Sequence, residues 1–129
     1  MDQKELNLRT SAVDLPKILN NQPSIYTYSE NGNYLGYSHI RLRGFDQRRV
    51  SVYINGVPQN DPELHNVFWL NLNDIQESVG EIQIQRGAGL SNYGAPSIAG
   101  SINLTTSNFV NNPGVRLSLS GGFQEFGAR

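Results

Sequence analysis

The sequence predicts an α+β fold in which one short helix near the N-terminus is followed by several strands separated by polar loops. Apolar residues recur at helical spacing between Val13 and Leu19, whereas later segments alternate with a period of two between clusters of Gly, Pro and Asn. Composition points the same way. With 13 glycines and only 16% charged residues, the chain is richer in turn formers than in the residues of long solvated helices. Helix and strand signals are intermixed along one chain, the α+β pattern.

The helix is expected over residues 12–20. Ser11 is its candidate N-cap, Val13, Leu15, Ile18 and Leu19 form its apolar stripe, Asp14 lies in the first turn and Lys17 later. Pro16 is tolerated early, and Asn21, Gln22 and Pro23 stop the helix. Residues 24–28 follow as a strand. Residues 29–38 carry Glu, Asn, Gly and Tyr and read as a wet aromatic loop, in which Tyr26, Tyr28, Tyr34 and Tyr37 either pack on their own sheet or floor a ligand site. Residues 39–43 and 50–54 are the next strands, read as a hairpin or near-hairpin and closed by Asn55 and Gly56.

Residues 57–66, with two prolines, form a long loop, and residues 68–75 lack a clean period, with a helical turn expected near Asn73. Ile82 and Ile84 alternate with Gln83 and Gln85 in a further strand. A glycine-punctuated stretch leads from it to a last core strand at 101–105. Beyond a linker at 108–114, residues 115–123 place Val115, Leu117, Leu119, Gly121 and Phe123 on one face and polar or small residues on the other.

At 129 residues the chain is long enough for one modest core. A net charge of −1 gives the whole molecule no attraction to nucleic acid, and the absence of cysteine excludes a disulfide framework and a thiol nucleophile. The start is polar, without the apolar stretch of a secretory signal. No apolar run approaches the roughly 20 residues of a spanning helix, and a barrel of about 22 strands of about 9 residues needs more chain than this.

Three ordered motifs carry a resemblance: IRLRGF at 40–45, VSVYINGVP at 50–58 and IQIQRGAGLSNYGAPSIAGSINLTT at 82–106, preceded by DLPKILNNQPSI. Together they resemble the plug domain of TonB-dependent outer-membrane receptors, with the plug at 11–107, an N-terminal linker at 1–10 that lacks a recognisable TonB box, and the alternating tail at 108–129 where the family's first barrel strand begins. The resemblance implies a small mixed β-sheet of about four strands with short helices and long apical loops, folded inside its own transmembrane barrel.

It implies a gate in the outer membrane of a Gram-negative bacterium, which blocks the pore and helps bind a scarce substrate such as a ferric siderophore. TonB, engaged through an upstream segment, remodels the gate. The apical loops supply the expected substrate-facing residues Tyr28, Asn33, Tyr34, Gln59, Asn60, His65 and Trp69. Two arginine–glycine pairs, Arg43-Gly44 and Arg86-Gly87, are expected to lock the plug to carboxylates of the barrel wall, since a guanidinium forks onto a carboxylate and glycine lets another backbone approach. Gln83 replaces an acidic residue often found before the second pair, and Ala88 a proline often found after it. A strand cut from its barrel at 115–123 is expected to stay mobile or to pair with another chain.

Other readings of the same residues are weaker. Asp61, Glu63, His65 and His39 fit no dedicated metal motif and no oriented acid–base pair, so no metal, cofactor or catalytic residue is expected. Gly87, Gly89 and Gly94 do not have phosphate-loop spacing. Arg41, Arg43, Arg48 and Arg49 beside Phe45 and Tyr53 are neutralised by the remaining charge, which argues against a nucleic-acid face. The NLT at 103–105 sits in a strand and carries no function as a glycosylation acceptor. The alternative function is a free-standing extracellular carbohydrate-binding or adhesion module using the same loops.

Overall fold

A computed structural model describes residues 14–88, 97–107, 119–121 and 126–128, the last two segments by their backbone. The helix, α1, spans Leu15–Leu19 and begins later than expected. Its N-cap is Asp14, which places Pro16 in the first turn, where a missing N–H costs no helical hydrogen bond. A start at Ala12 would have put that proline one turn in. Asp14 makes no capping bond; its buried carboxylate instead accepts the hydroxyl of Ser38. The expected cap Ser11 lies outside the described residues.

Strands β1 (Ile25–Ser29), β2 (Ser38–Leu42) and β3 (Phe45–Asp46) form an antiparallel sheet, with Ile25 opposite Leu42 and Leu42 opposite Phe45. The expected pairing of the segment around Ile40 with that around Val52 is therefore corrected. The chain reverses at once after Leu42, because Arg43 and Gly44 both take positive φ, +54° and +82°, the geometry of a two-residue hairpin turn. Asp46 then accepts the backbone N–H of Arg48 at 3.0 Å, capping a 3₁₀ turn at Gln47–Arg49 that carries the chain into another sheet.

That sheet has the order β5-β4-β7-β6, from β4 (Val50–Ile54), β5 (Val57–Pro58), β6 (Val79–Arg86) and β7 (Gly100–Thr106). Its mixed character comes from β4 and β7, which run parallel, while β5 and β6 are antiparallel to their neighbours. Asn55 and Gly56 form a second two-residue turn, so the start of the expected loop at 57–66 is a short strand. The segment without a clean period is a 3₁₀ helix, Trp69–Glu77.

One apolar core unites these elements: Leu15, Ile18 and Leu19 of α1 share a cluster with Ile25, Ile40, Leu42, Val50, Val52, Trp69, Ile82, Ile102 and Leu104. Each such side chain contributes roughly 1.5–3 kcal/mol by leaving water. Strand β4 is buried on both faces, since Ser51 and Tyr53 are covered as well as Val50 and Val52.

The two sheets meet at Gly100, which opens β7 with φ +142°. A Cβ there would lie 2.1 Å from the Gln85 carbonyl oxygen and 2.8 Å from Cδ2 of Leu42, so only glycine lets β2 close onto the end of β6 and β7.

In the tail, β8 (Leu119–Gly121) pairs antiparallel with β9 (Phe126–Ala128), a strand the sequence pattern did not suggest, in a separate two-stranded sheet. Leu119–Gly121 thus pairs within the chain; the rest of the segment expected to stay mobile or to pair with another chain lies outside the described residues. The linkers at 1–10 and 108–114 and the start of the tail lie outside the described residues.

Candidate functional site

The loop between β1 and β2 is held by its own polar groups. Tyr34, at φ +58°, donates its hydroxyl to the Thr27 carbonyl at 2.9 Å and lies 3.1 Å from the Thr27 hydroxyl, while Lys17 Nζ sits 5.6 Å from its ring. Asn33 Oδ1 accepts the backbone N–H of Leu35 at 3.0 Å. Tyr28 stacks on His39 with centroids 5.0 Å apart, and the Arg41 guanidinium lies 5.9 Å over the Tyr28 ring. Of the expected loop residues Asn33 is exposed, whereas Tyr28 and Tyr34 are half-buried.

The second loop, from Gln59 onward, uses its side chains as braces. Asn60 Oδ1 accepts the N–H of Val52 at 2.8 Å, and its Nδ2 donates to the carbonyls of Val50 at 2.9 Å and His65 at 3.1 Å. One amide thereby extends the edge of β4 past the short β5. Gln59 Nε2 donates to the Val57 carbonyl at 3.1 Å, and half-buried His65 takes φ +54°. Trp69 requires a correction. It is 1% exposed within the apolar core, so it anchors the loop from below and offers no face to a substrate.

Both loops converge on Gln47, which lies between the expected strands 39–43 and 50–54 and was not singled out from the sequence. Its Oε1 accepts from the Ile40 N–H at 3.3 Å and from Trp69 Nε1 at 3.2 Å; its Nε2, with two hydrogens, faces three acceptors, Asn66 Oδ1, His39 Nδ1 at 3.3 Å and the Val67 carbonyl at 3.5 Å. His39 Nε2 donates to Glu30 at 2.9 Å. A shallow pocket opens above this cluster, and Tyr37, Phe68 and Leu70 on its lining are exposed. No single-residue signal marks Gln47, because its partners lie up to 22 positions away.

The two arginine–glycine pairs come together at the other end of β2. Arg43 follows Leu42, Leu42 touches the site of Gly100, and Gly100 pairs with Arg86. Gly87, at φ +92°, leaves open the space beside Arg43: a Cβ there would stand 3.0 Å from Arg43 Nη1. The neighbour at Gly87 is thus the first guanidinium, a side chain where another backbone was expected. At Gly44 nothing lies within 4 Å of the Cβ position, so that glycine serves the turn. Arg43 and Arg86 are exposed, and neither is ion-paired among the described residues, where Arg48 lies 3.9 Å from Asp46.

Among the described residues no group of three or more His, Cys, Asp or Glu is placed to hold a metal, and no helix is long and apolar enough to cross a membrane.

Comparison with known proteins adds to this geometry. The family model described as the TonB-dependent receptor plug domain matches residues 1–101. No curated protein matches the chain. Among solved structures, the chain is similar to a double mutant of the Serratia marcescens hemophore receptor HasR in complex with its hemophore HasA and heme, with a TM-score of 0.65 and 17% identity, over 92% of this chain and 18% of that one. It is similar to the FrpB iron transporter of Neisseria meningitidis, F3-3 variant, at a TM-score of 0.59 and 20% identity, over 83% of this chain and 15% of that one. For the ferric yersiniabactin uptake receptor FyuA of Yersinia pestis the TM-score is 0.54 and the identity 24%, over 84% and 16%. The chain spans less than a fifth of each of these proteins.

Proposed function

This chain belongs to the TonB-dependent receptor plug domain family, and we propose that it is the gate of an outer-membrane transporter in a Gram-negative bacterium, seated inside the β-barrel of its own receptor. No covalent chemistry is assigned to it. The plug proper is residues 11–107, and the tail at 108–129 leads into the barrel's first strand. Substrates are scarce iron-bearing molecules, a ferric siderophore or haem; this draws on relatives that carry iron, heme with its hemophore, and ferric yersiniabactin. TonB acts through a segment upstream of the fold.

The substrate side is the loop end of β2, where Tyr28, Asn33, Tyr34, Gln59, Asn60 and His65 are held in place and Tyr37 and Phe68 add exposed aromatic surface. Lying in the core, Trp69 is left out of this set. The lock is the turn end: Arg43 and Arg86, with Gly44 shaping one turn and Gly87 seating the first guanidinium, reach carboxylates of the barrel wall.

The observation that carries the reading is this pair of exposed arginines gathered at one end of a plug fold with no carboxylate paired to them among the described residues. A free-standing carbohydrate-binding or adhesion module gives no reason to collect them there, and the family match does not favour it.

Cysteines placed at Asn33 and at Arg86 of the intact receptor test the orientation. With a membrane-impermeant maleimide added to whole cells, the cysteine at 33 is expected to label and that at 86 to stay protected. Labelling at 86 alone would reverse the assignment of the two ends.

A further inference from the structure

The loops assigned to the substrate side are joined through one side chain, and its hydrogen bonds leave its amide a single orientation. The Ile40 N–H and the Trp69 indole N–H can only donate, so Gln47 must present Oε1 to them; the Val67 carbonyl can only accept, so Nε2 faces it. Nε2 also faces His39 Nδ1, which therefore carries no proton. The ring proton sits on Nε2, aimed at Glu30. Gln47 itself is 4% exposed, so water does not stand in for a lost partner.

We propose that Gln47 is a positioning residue that clamps the loop bearing Glu30 to the loop bearing Asn66, and that protonation of His39 opens the clamp. A proton added at Nδ1 sets two donors face to face across the contact with Gln47. In that arrangement the two amide hydrogens of Gln47 keep the Asn66 and Val67 oxygens, and the new N–H of half-buried His39 faces a donor; rotating the amide only turns its NH₂ onto the Ile40 and Trp69 N–H groups, so neither arrangement restores the bond to His39. The same proton strengthens the bond to Glu30, and the imidazole keeps Glu30 while releasing Gln47.

The other charged groups near the ring are Arg41, over the Tyr28 ring on which the imidazole stacks, and Asp14, which accepts the hydroxyl of neighbouring Ser38. Neither bonds Nδ1 among the described residues. The clamp is closed with neutral His39 and opens on acidification. Its bearing on substrate rests on the loop assignment proposed above.

Trp69 is the single tryptophan, so its indole N–H gives one resonance in the ¹⁵N-labelled chain. On acidification that resonance is expected to shift together with the His39 ring signals, with one shared midpoint. In His39→Phe, which keeps a ring on Tyr28, the indole shift is lost. In Gln47→Leu, His39 still titrates and the indole no longer follows it.

An indole resonance that is flat in the wild type, or that still moves in His39→Phe, overturns the clamp. Substrate affinity of the intact receptor separates the two claims. A normal clamp signature with unchanged affinity in Gln47→Leu leaves the clamp standing and overturns the substrate role of the loops.

Discussion

The loop end of β2, around Ser38 and His39, and its turn end, at Arg43 and Gly44, satisfy polar side chains in different ways. At the loop end Asn33, Tyr34, Asn60 and Gln47 spend their hydrogen bonds on the chain's own backbone and on each other, which fixes loop geometry before anything binds. At the turn end Arg43 and Arg86 are exposed without an ion pair among the described residues. A preorganised surface suits recognition of a ligand that comes and goes. Two unpaired guanidiniums on a rigid sheet end suit a partner supplied from outside the fold.

The contrast predicts a graded set of stabilities. Trp69→Ala should have the largest effect, about 3–5 kcal/mol in urea denaturation, because it removes the largest fully buried side chain and an indole donor to Gln47. A loss below about 1 kcal/mol, the range of surface substitutions, would return Trp69 to the surface and erase the distinction between core and loop.

Gly100→Ala comes next. Overpacking and backbone strain at this junction each cost about 1–3 kcal/mol, and together they should push the start of β7 away from Gln85 of β6 and from Leu42 of β2. Gly44→Ala, with open space at its Cβ, should cost only its turn strain. Equal losses for the two glycines would mean that Gly100 is not the junction.

Asn60→Ala should lose about 1–3 kcal/mol, since the Val52 N–H and Val50 carbonyl lose their partner. Hydrogen exchange at the Val52 amide checks it, with faster exchange expected in the variant. Arg43→Ala and Arg86→Ala should change the stability of this chain by no more than about 0.5 kcal/mol, as surface substitutions do. A larger loss would show that the guanidiniums serve the plug's own fold.

What the sequence disclosed follows the range of each interaction. The alternation of Ile82 and Ile84 with Gln83 and Gln85, and the run at Val50 and Val52, marked strands correctly because side-chain direction is local. Partners were not local. The parallel pairing of Val50 with Gly100 spans 50 positions, and the Gly87–Arg43 contact joins two motifs that read as independent.

Two local signals were misread. Asn55-Gly56 is a strong hairpin turn, but Pro58 and Pro62 drew the reading toward a loop. Trp69 follows a polar loop and was taken as substrate-facing, whereas its ring packs in the apolar core and its indole N–H donates to Gln47. The arginine–glycine pairs were singled out by their motifs, and the structure added that they share one end of the fold. Gln47 was missed because a buried glutamine is recognised by what surrounds it.

The proposed lock at the turn end is tested by the permeability of the outer membrane to a bulky antibiotic in cells carrying the intact receptor with Arg43→Ala and Arg86→Ala combined. Increased antibiotic entry and altered uptake of the receptor's substrate are expected, while the same double substitution leaves this chain as stable as the wild type. Unchanged permeability and unchanged uptake would contradict it.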